Sequence, residues 1–528
     1  MSATTIRVEK TEPNYLSVSD TTLSWLLTTD HKRIAVLYLA SLTFFSCVAV
    51  AATMIVHAGL LTPHGGLVSP SNYQQSVTIH GVMMVFFLLF PAIPAVLGNF
   101  VLPLMIGARN LALPRLSRVS WYLYVIGGAI VLWSVASGEI GALWTFSPSP
   151  GTSRIPLAML GLAAAILSSL LTSFNIFLTI HKMRTQGLTW FRLPLFAWSL
   201  YAFSIAFIVG ILAGMFSLVL TVQRGFASQA VAATLLSQPL FWLSFQPTMF
   251  LSLLPALGII SEVITCFSRR RIFGYPLAVF SILAIPPFAF LGWGQYLLAE
   301  GETTFASVVC SLGNVLVAAL VMIQLLIWIL TMYKGDITLR APMFYALGCA
   351  ALLTIGGVTG LFLAALPTSV YLRDTFFALA HLHYVVAGGV LFGFLTGLHF
   401  WWVKITGRMY SEFWAKTAAV ITFAGVNLAF FPHLILGLMG MPHRYQWYPE
   451  GLQPLYVAST AGMLVLLTGC TITAACLLWS LRYGQEAGSN PWNATGLEWQ
   501  TGSPPVVENF AEAPEVVGEP YGYEPNPS

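Results

Sequence analysis

Residues 372–402 read "LRDTFFALAHLHYVVAGGVLFGFLTGLHFWW". From Thr375 onward the run is almost wholly apolar. At 1.5 Å per helical residue it crosses a hydrocarbon core of roughly 30 Å. It nevertheless contains His381 and His383, and ionisable side chains are costly at membrane depth unless something compensates them. On an α-helix, positions two apart point roughly 200° apart. The two imidazoles therefore face opposite sides of one helix and cannot share one metal ion.

The rest of the chain repeats the apolar run. Of 528 residues, 57% are hydrophobic and 8% are charged, which excludes a water-soluble globular class. Runs over 34–58, 77–104, 119–141, 157–182, 197–220, 240–265, 275–298, 306–332, 343–366, 376–402, 416–438 and 454–482 are each long enough to span a bilayer. Backbone satisfaction in lipid requires them to be helices. The fold class expected is an all-α polytopic membrane protein, a bundle of twelve transmembrane helices.

Charge supports that count. With the N-terminus inside, all but Arg154, Arg224, Arg373 and Arg444 of the 23 Lys and Arg fall on the inner side. The expected organisation is a cytoplasmic segment 1–33, a membrane domain 34–482 and a cytoplasmic tail 483–528, polar and rich in Pro, Gly and Glu. The first 33 residues lack a signal-peptide pattern. Six cysteines without C-x-x-C spacing are expected to be reduced packing residues.

Depth sorts the ten histidines. His31, His57, His64, His181 and His443 fall at span ends or in loops, where a solvated role is expected. His399 lies near the inner end of its span, where snorkelling or a backbone hydrogen bond accounts for it. His80 enters span 2 at about the depth at which His381 and His383 enter span 10. A helix addressing one large cofactor on each side fits this placement, with His80 completing one bis-histidine site. Haem suits it, because its iron takes axial imidazoles and its macrocycle fills an apolar slot. Three satisfied core histidines fit the spacing equally well.

The chain resembles subunit I of the haem–copper terminal oxidases, the cytochrome c oxidase type. The segments carrying the resemblance are "WLLTTDHKRIAVLYL" from Trp25, "GNFVLPLMIGARNLALPRLSRVSWYL" from Gly98, "FSRRRIFGYPL" from Phe267, "TIGGVTG" from Thr354, "RDTFFALAHLHYV" from Arg373, "GMPHRY" from Gly440 and "NPWNATGLEW" from Asn490. The resemblance implies a twelve-helix bundle. It also implies His80 and His383 as the axial ligands of a low-spin haem, and His381 as the single protein ligand of a second haem. Arg444 and His443 match the pair that holds haem propionates.

The same alignment shows departures. The family's first copper-ligating histidine is Gln246 here, in "FQPTMF", and Phe250 replaces its cross-linked tyrosine. Gln295 and Tyr296, in "GWGQYLLAEG", stand in place of an adjacent histidine pair. Amides are poor copper ligands where imidazoles suit the ion, so no copper is expected facing His381. Asn110, Thr248 and Gln324 replace the acids and lysine of two proton channels, and no Asp, Glu or Lys falls within the spans away from their ends. Ile55 stands where an arginine touches a haem ring substituent. Arg373 replaces a histidine beside Asp374, so Asp374 is at most the remnant of an outer Mg/Mn site.

The expected function is a haem-binding subunit of a respiratory oxidase-type complex. It keeps the low-spin haem, lacks the copper site and proton channels, and serves electron transfer, ligand binding or assembly rather than oxygen reduction by itself. Two alternatives remain. One is a working terminal oxidase subunit I that passes electrons from cytochrome c or quinol to O2. The other is a structural paralogue that pairs with a catalytic subunit I. Expected partners are subunit II- and III-like chains, a second catalytic subunit I, membrane lipid and, indirectly, cytochrome c or quinol; nucleic acid is not among them. The expected location is a bacterial plasma membrane with both termini cytoplasmic.

Overall fold

The computed structural model describes residues 13–18, 21–137, 157–226, 247–293, 304–443, 445–510 and 512–523, the side chains of 213, 215–226 and 304 excepted. Among them, twelve helices are long and apolar enough to cross a membrane. They are α1 (His31–Gly59), α2 (Pro70–Met105), α3 (Pro114–Ala136), α4 (Leu157–Lys182), α5 (Leu195–Phe226) and α6 (Pro247–Ser268). The others are α7 (Tyr275–Gly292), α8 (Thr304–Met332), α9 (Ala341–Ala364), α10 (Phe376–Thr406), α11 (Glu412–Leu438) and α12 (Glu450–Tyr483). The count agrees with the hydropathy reading.

One boundary differs in a way that matters. The apolar run of span 2 begins at about residue 77, whereas α2 begins at Pro70. Ser69 caps it by accepting from the Asn72 N–H at 3.3 Å, and Pro70 takes a first-turn position where no N–H is needed. The polar turns Ser71–Ser76 are helical because of the cap, not because of hydrophobicity.

The pairs α3–α4, α7–α8, α9–α10 and α11–α12 pack side by side, with α2 and α6 drawn inward. The apolar windows of α2 and α6 are 83% and 94% buried, against 33% for α1 and α9, so the first two form the inner wall. Small residues allow the closest crossings, as in membrane bundles generally. A Cβ on Gly388 of α10 would come 2.6 Å from the Leu352 Cβ of α9. Cβ atoms on Gly425 of α11 and Gly462 of α12 would run into the opposite helix's backbone.

Both α2 and α10 contain wide π-helical turns, at Val85–Leu89 and Ala92–Gly98 in α2 and at Val386–Leu391 in α10. Pro91 and Pro94, which cannot donate to the helical ladder, account for the widening in α2. Such turns are frequent at functional sites. They follow His80 and His383 closely on the two helices.

Residues 484–523 run across the end of the bundle at which the N-terminal segment also lies. The Tyr15 N–H donates to the Pro505 carbonyl at 3.2 Å. Basic side chains hold this tail by its carbonyls: Lys404 donates to Ser489 and Thr501 at 2.8 Å each, and Arg269 to Trp492 at 2.7 Å. The Tyr521 hydroxyl donates to Glu262 at 2.7 Å and accepts the Leu195 N–H at 2.8 Å, so the tail caps the start of α5. Glu262, expected at a span margin, therefore lies inside α6 with a defined partner. All six cysteines are free thiols.

Glu498 lies under the tail, 3% exposed, and burial lifts its carboxyl from 4.5 to about 7 against the opposing pull of its own backbone N–H and of Lys404. An acid whose pKa rises on docking favours the docked state only while it is protonated. Docking strength is therefore full below about 4.5 and falls as pH rises to 7, by about 3 kcal/mol for such a shift. Glu498→Gln is expected to slow proteolysis of the tail relative to wild type at pH 8, with the difference closing as pH approaches 4.5. A ratio of cleavage rates that does not change with pH would show the carboxyl ionised when docked.

Candidate functional site

An apolar cavity of about 2070 Å³ runs between α1, α2, α10, α11 and α12. It is larger than the roughly 300–1,000 Å³ of ordinary small-molecule pockets. His80, His381 and His383 all line it, as do Thr53, His57, Phe250, Phe430 and His433.

His80 and His383 approach each other from α2 and α10. Their ring centres are 6.4 Å apart and their planes differ by 15°. Two metal–imidazole bonds of about 2 Å each account for a separation of this size when the rings share one ion. Phe430 of α11 stacks on His383 at 4.3 Å and fixes the ring's tilt.

Hydrogen bonds set the tautomers. His383 Nδ1 lies 2.7 Å from the Leu379 carbonyl, which only accepts, so the ring proton is on Nδ1. His80 Nδ1 lies 2.6 Å from the Thr53 hydroxyl, whose own proton goes to the Ala49 carbonyl at 2.8 Å. The hydroxyl must then accept, and His80 too is protonated on Nδ1. Both rings keep Nε2 bare, and no described residue bonds it. A hydrogen bond to the far ring nitrogen that fixes the tautomer in this way is the usual support of a metal-ligating histidine.

His381 shows the same device on the opposite face of α10. Its Nδ1 lies 3.1 Å from both the Gly356 carbonyl and the Thr359 hydroxyl of α9. Phe250 of α6 stacks against it at 5.8 Å. Where the resemblance calls for a tyrosine, a ring without a hydroxyl faces His381. Thus the 200° separation read from the spacing is realised: His383 faces α2 and α11, while His381 faces α6 and α9.

Gln246, Gln295, Tyr296 and Arg444 lie outside the described residues. His443 donates from Nδ1 to the Asp374 carbonyl at 2.8 Å, and Arg373 pairs with the Asp374 carboxylate at 3.5 Å. All three residues line the cavity at the end away from residues 484–510. Thr248 is fully buried in α6. Gln324 donates to the Ala278 carbonyl at 2.8 Å and the Ser281 hydroxyl at 2.7 Å. Asn110 bonds the Thr29 carbonyl at 3.1 Å as a loop tie.

Three expectations change. Ile55 points away from the cavity and is 43% exposed; the α1 residue facing inward at that level is His57, which was expected to be solvated and is instead buried against Thr460. Neither Ile55 nor His57 could be oriented from an unbroken apolar run. His31, expected to be solvated, is buried between the Asn99 carbonyl at 2.7 Å and Asn509 of the tail. His399 is buried and donates to the Leu395 carbonyl at 2.8 Å, which is the backbone bond expected as one of its two accounts. His433 is the cavity-lining histidine that depth alone did not single out.

Residues 33–465 match the family described as Cytochrome C and Quinol oxidase polypeptide I. The chain is 33% identical over 504 residues to cytochrome c oxidase subunit 1 of Thermostichus vulcanus, covering 94% of this chain and 91% of the relative. It is 34% identical over 508 residues to cytochrome c oxidase subunit 1 of Bacillus subtilis strain 168, covering 94% and 82%. In fold it is similar to a chain of a heme-copper terminal oxidase dimer solved by cryo-EM, with a TM-score of 0.71 at 16% identity, covering 87% and 85%.

Proposed function

The chain belongs to the Cytochrome C and Quinol oxidase polypeptide I family, and within it we propose a haem-carrying subunit that moves electrons without reducing oxygen by itself. The observation that carries this reading is the pair of bare Nε2 atoms on His80 and His383, on facing rings beside a cavity of macrocycle size. These two residues hold a low-spin haem, whose iron passes one electron at a time. His381 holds a second haem on the far side of α10. His443, at the same end of the cavity as Arg373 and Asp374, is the described member of the pair that would meet the propionates.

The oxygen-reducing partner metal is what the residues do not support. Gln246, Gln295 and Tyr296 offer amide and phenol groups in place of three imidazoles, and copper bound through imidazole has no comparable ligand set there. Phe250 cannot supply the phenol that its position provides in the family. Gln324 is bonded to neighbouring hydroxyl and carbonyl groups and carries no exchangeable charge for a proton path. The chain accordingly works beside subunit II- and III-like partners in a bacterial plasma membrane. There it relays electrons or supports assembly, with both termini cytoplasmic.

Two measurements on purified protein test this. Copper analysis should find none attributable to this chain, and one equivalent per chain would sink the proposal. A carbon monoxide difference spectrum should leave the His80–His383 band unmoved, because both axial positions are filled. Any band that shifts then belongs to the haem on His381.

A further inference from the structure

The connection from α4 to α5 lies at the end of the bundle that the tail covers, and it is built around aromatic rings. Trp190 opens a short 3-10 turn, Trp190–Arg192. Its ring centre lies 5.2 Å from His181, 5.3 Å from Trp198 and 5.3 Å from Tyr201, and the Arg184 guanidinium stacks over it at 3.9 Å. His181 and Tyr201 are hydrogen-bonded at 2.9 Å. Phe191, the next residue, stays outside this cluster and is 85% exposed.

The connection is fixed in place. The Thr185 N–H donates to the Ile106 carbonyl at 2.9 Å, and the Val516 N–H of the tail to the Gln186 carbonyl at 3.0 Å. Two guanidinia converge on the turn between them. Arg184 Nη1 reaches the Leu188 carbonyl at 3.5 Å; Arg192 Nη1 reaches the Gly187 carbonyl at 3.3 Å and the Val516 carbonyl at 3.1 Å. Nη2 of each has no hydrogen-bond partner among the described residues. At the same end Arg109, Arg271, Arg408 and Lys416 are paired with Glu508, Glu519, Glu486 and Glu412. Lys182, Arg184 and Arg192 pair with no described carboxylate. Glu515, between the two tail residues that touch the turn, is exposed and makes no ion pair with them.

Aromatic and basic side chains gather where a spanning protein meets the headgroup layer. Three cations without carboxylates, beside an exposed phenyl ring, suit a ligand that is both anionic and apolar. A soluble anion gains nothing from Phe191, and a lipid without net charge leaves the cations unmatched. We propose that residues 182–192 hold one anionic phospholipid, its phosphate against Lys182, Arg184 and Arg192 and its acyl region over Phe191. Stacking on Trp190 holds the plane of Arg184, so presenting it costs little side-chain freedom. With the termini cytoplasmic, as proposed above, this leaflet is the one that carries anionic lipid. None of these residues lines the histidine cavity, and the site needs no haem.

The test places the full chain in nanodiscs of equal phosphatidylglycerol and phosphatidylcholine, and native mass spectrometry counts the lipid each molecule retains on release. Wild type is expected to favour phosphatidylglycerol about a hundredfold, from three cations acting together. Arg184→Gln and Arg192→Gln should each lower that ratio about fivefold, the factor one cation near an anionic headgroup commands. Lys182→Gln, at an exposed position whose loss cannot unfold the bundle, should do the same. Phe191→Ser keeps all three charges and should still lower retention. Arg482→Gln removes an exposed cation at the same end, on α12, and should change nothing. Equal retention of the two lipids overturns the proposal, as does an Arg482→Gln effect as large as that of Arg184→Gln, which marks diffuse surface charge. Thermal stabilisation by inorganic phosphate equal to that by phosphatidylglycerol assigns the cations to a free anion and overturns it too. So does a partner subunit that cross-links to residue 191 in the isolated complex with no lipid retained there.

Discussion

His80→Ala is expected to abolish the low-spin haem signal while leaving the helix bundle assembled. Alanine removes one of two facing nitrogen ligands and leaves α2 helical, since alanine is the best helix former. His80 bonds the rest of the bundle at one spot on α1, through Thr53 and the Ala49 carbonyl, so protein yield and helical content should hold. Thr53→Val gives the graded version. It keeps the ligand but removes the group that holds the proton on Nδ1, and such second-shell changes weaken metal sites by about 10- to 100-fold. Reduced-minus-oxidised spectra of the two variants separate the roles. An unchanged low-spin band in His80→Ala would refute the bis-histidine site.

The second large effect comes from a residue with no side chain. Gly462→Val should force α11 and α12 apart, because even a Cβ there meets the backbone of Leu428 and Ala429. Backbone cannot turn aside as a side chain can, so the cost should exceed the usual 1–3 kcal/mol of an overpacked core site, reaching about 4 kcal/mol or more. Met463 and Leu466 of α12 and Phe430 and His433 of α11 line the same cavity. Loss of haem should therefore accompany loss of thermal stability in detergent. Gly451, which has open space around it, is the control, and Gly451→Ala should change neither quantity. Equal melting temperatures for Gly462→Val and wild type would show that the helices do not approach this closely.

The twelve spans were legible because each apolar run is longer than any globular core helix needs, and charge on the connecting segments checked the count. The two-sided role of α10 was legible from the spacing of His381 and His383 alone. What the sequence hid follows from three physical facts. A helix begins at its cap, so the polar start of α2 at Pro70 falls outside any hydropathy window. An apolar run has no marked face, so Ile55 and His57, two residues apart, could not be told inward from outward. And the Pro- and Gly-rich tail looks like unstructured surface, because much of its order comes from carbonyls bonded by Lys404, Arg269 and Arg192, with a few side chains such as Asn509 and Tyr521, rather than from a regular element.

That tail also carries a consequence for biogenesis. Residues 484–523 leave the ribosome after all twelve spans, yet they supply partners to α1, α5, α6 and α10 through Asn509, Tyr521, Trp492 and Ser489. Until synthesis reaches them, the buried amine of Lys404, the carboxyl of Glu262 and the leading N–H groups of α5 have no tail to meet. The newborn bundle is thus unfinished at the end that carries Lys404, Glu262 and the start of α5. Closure of that end is thereby deferred to a later moment in the life of the chain than the insertion of its helices.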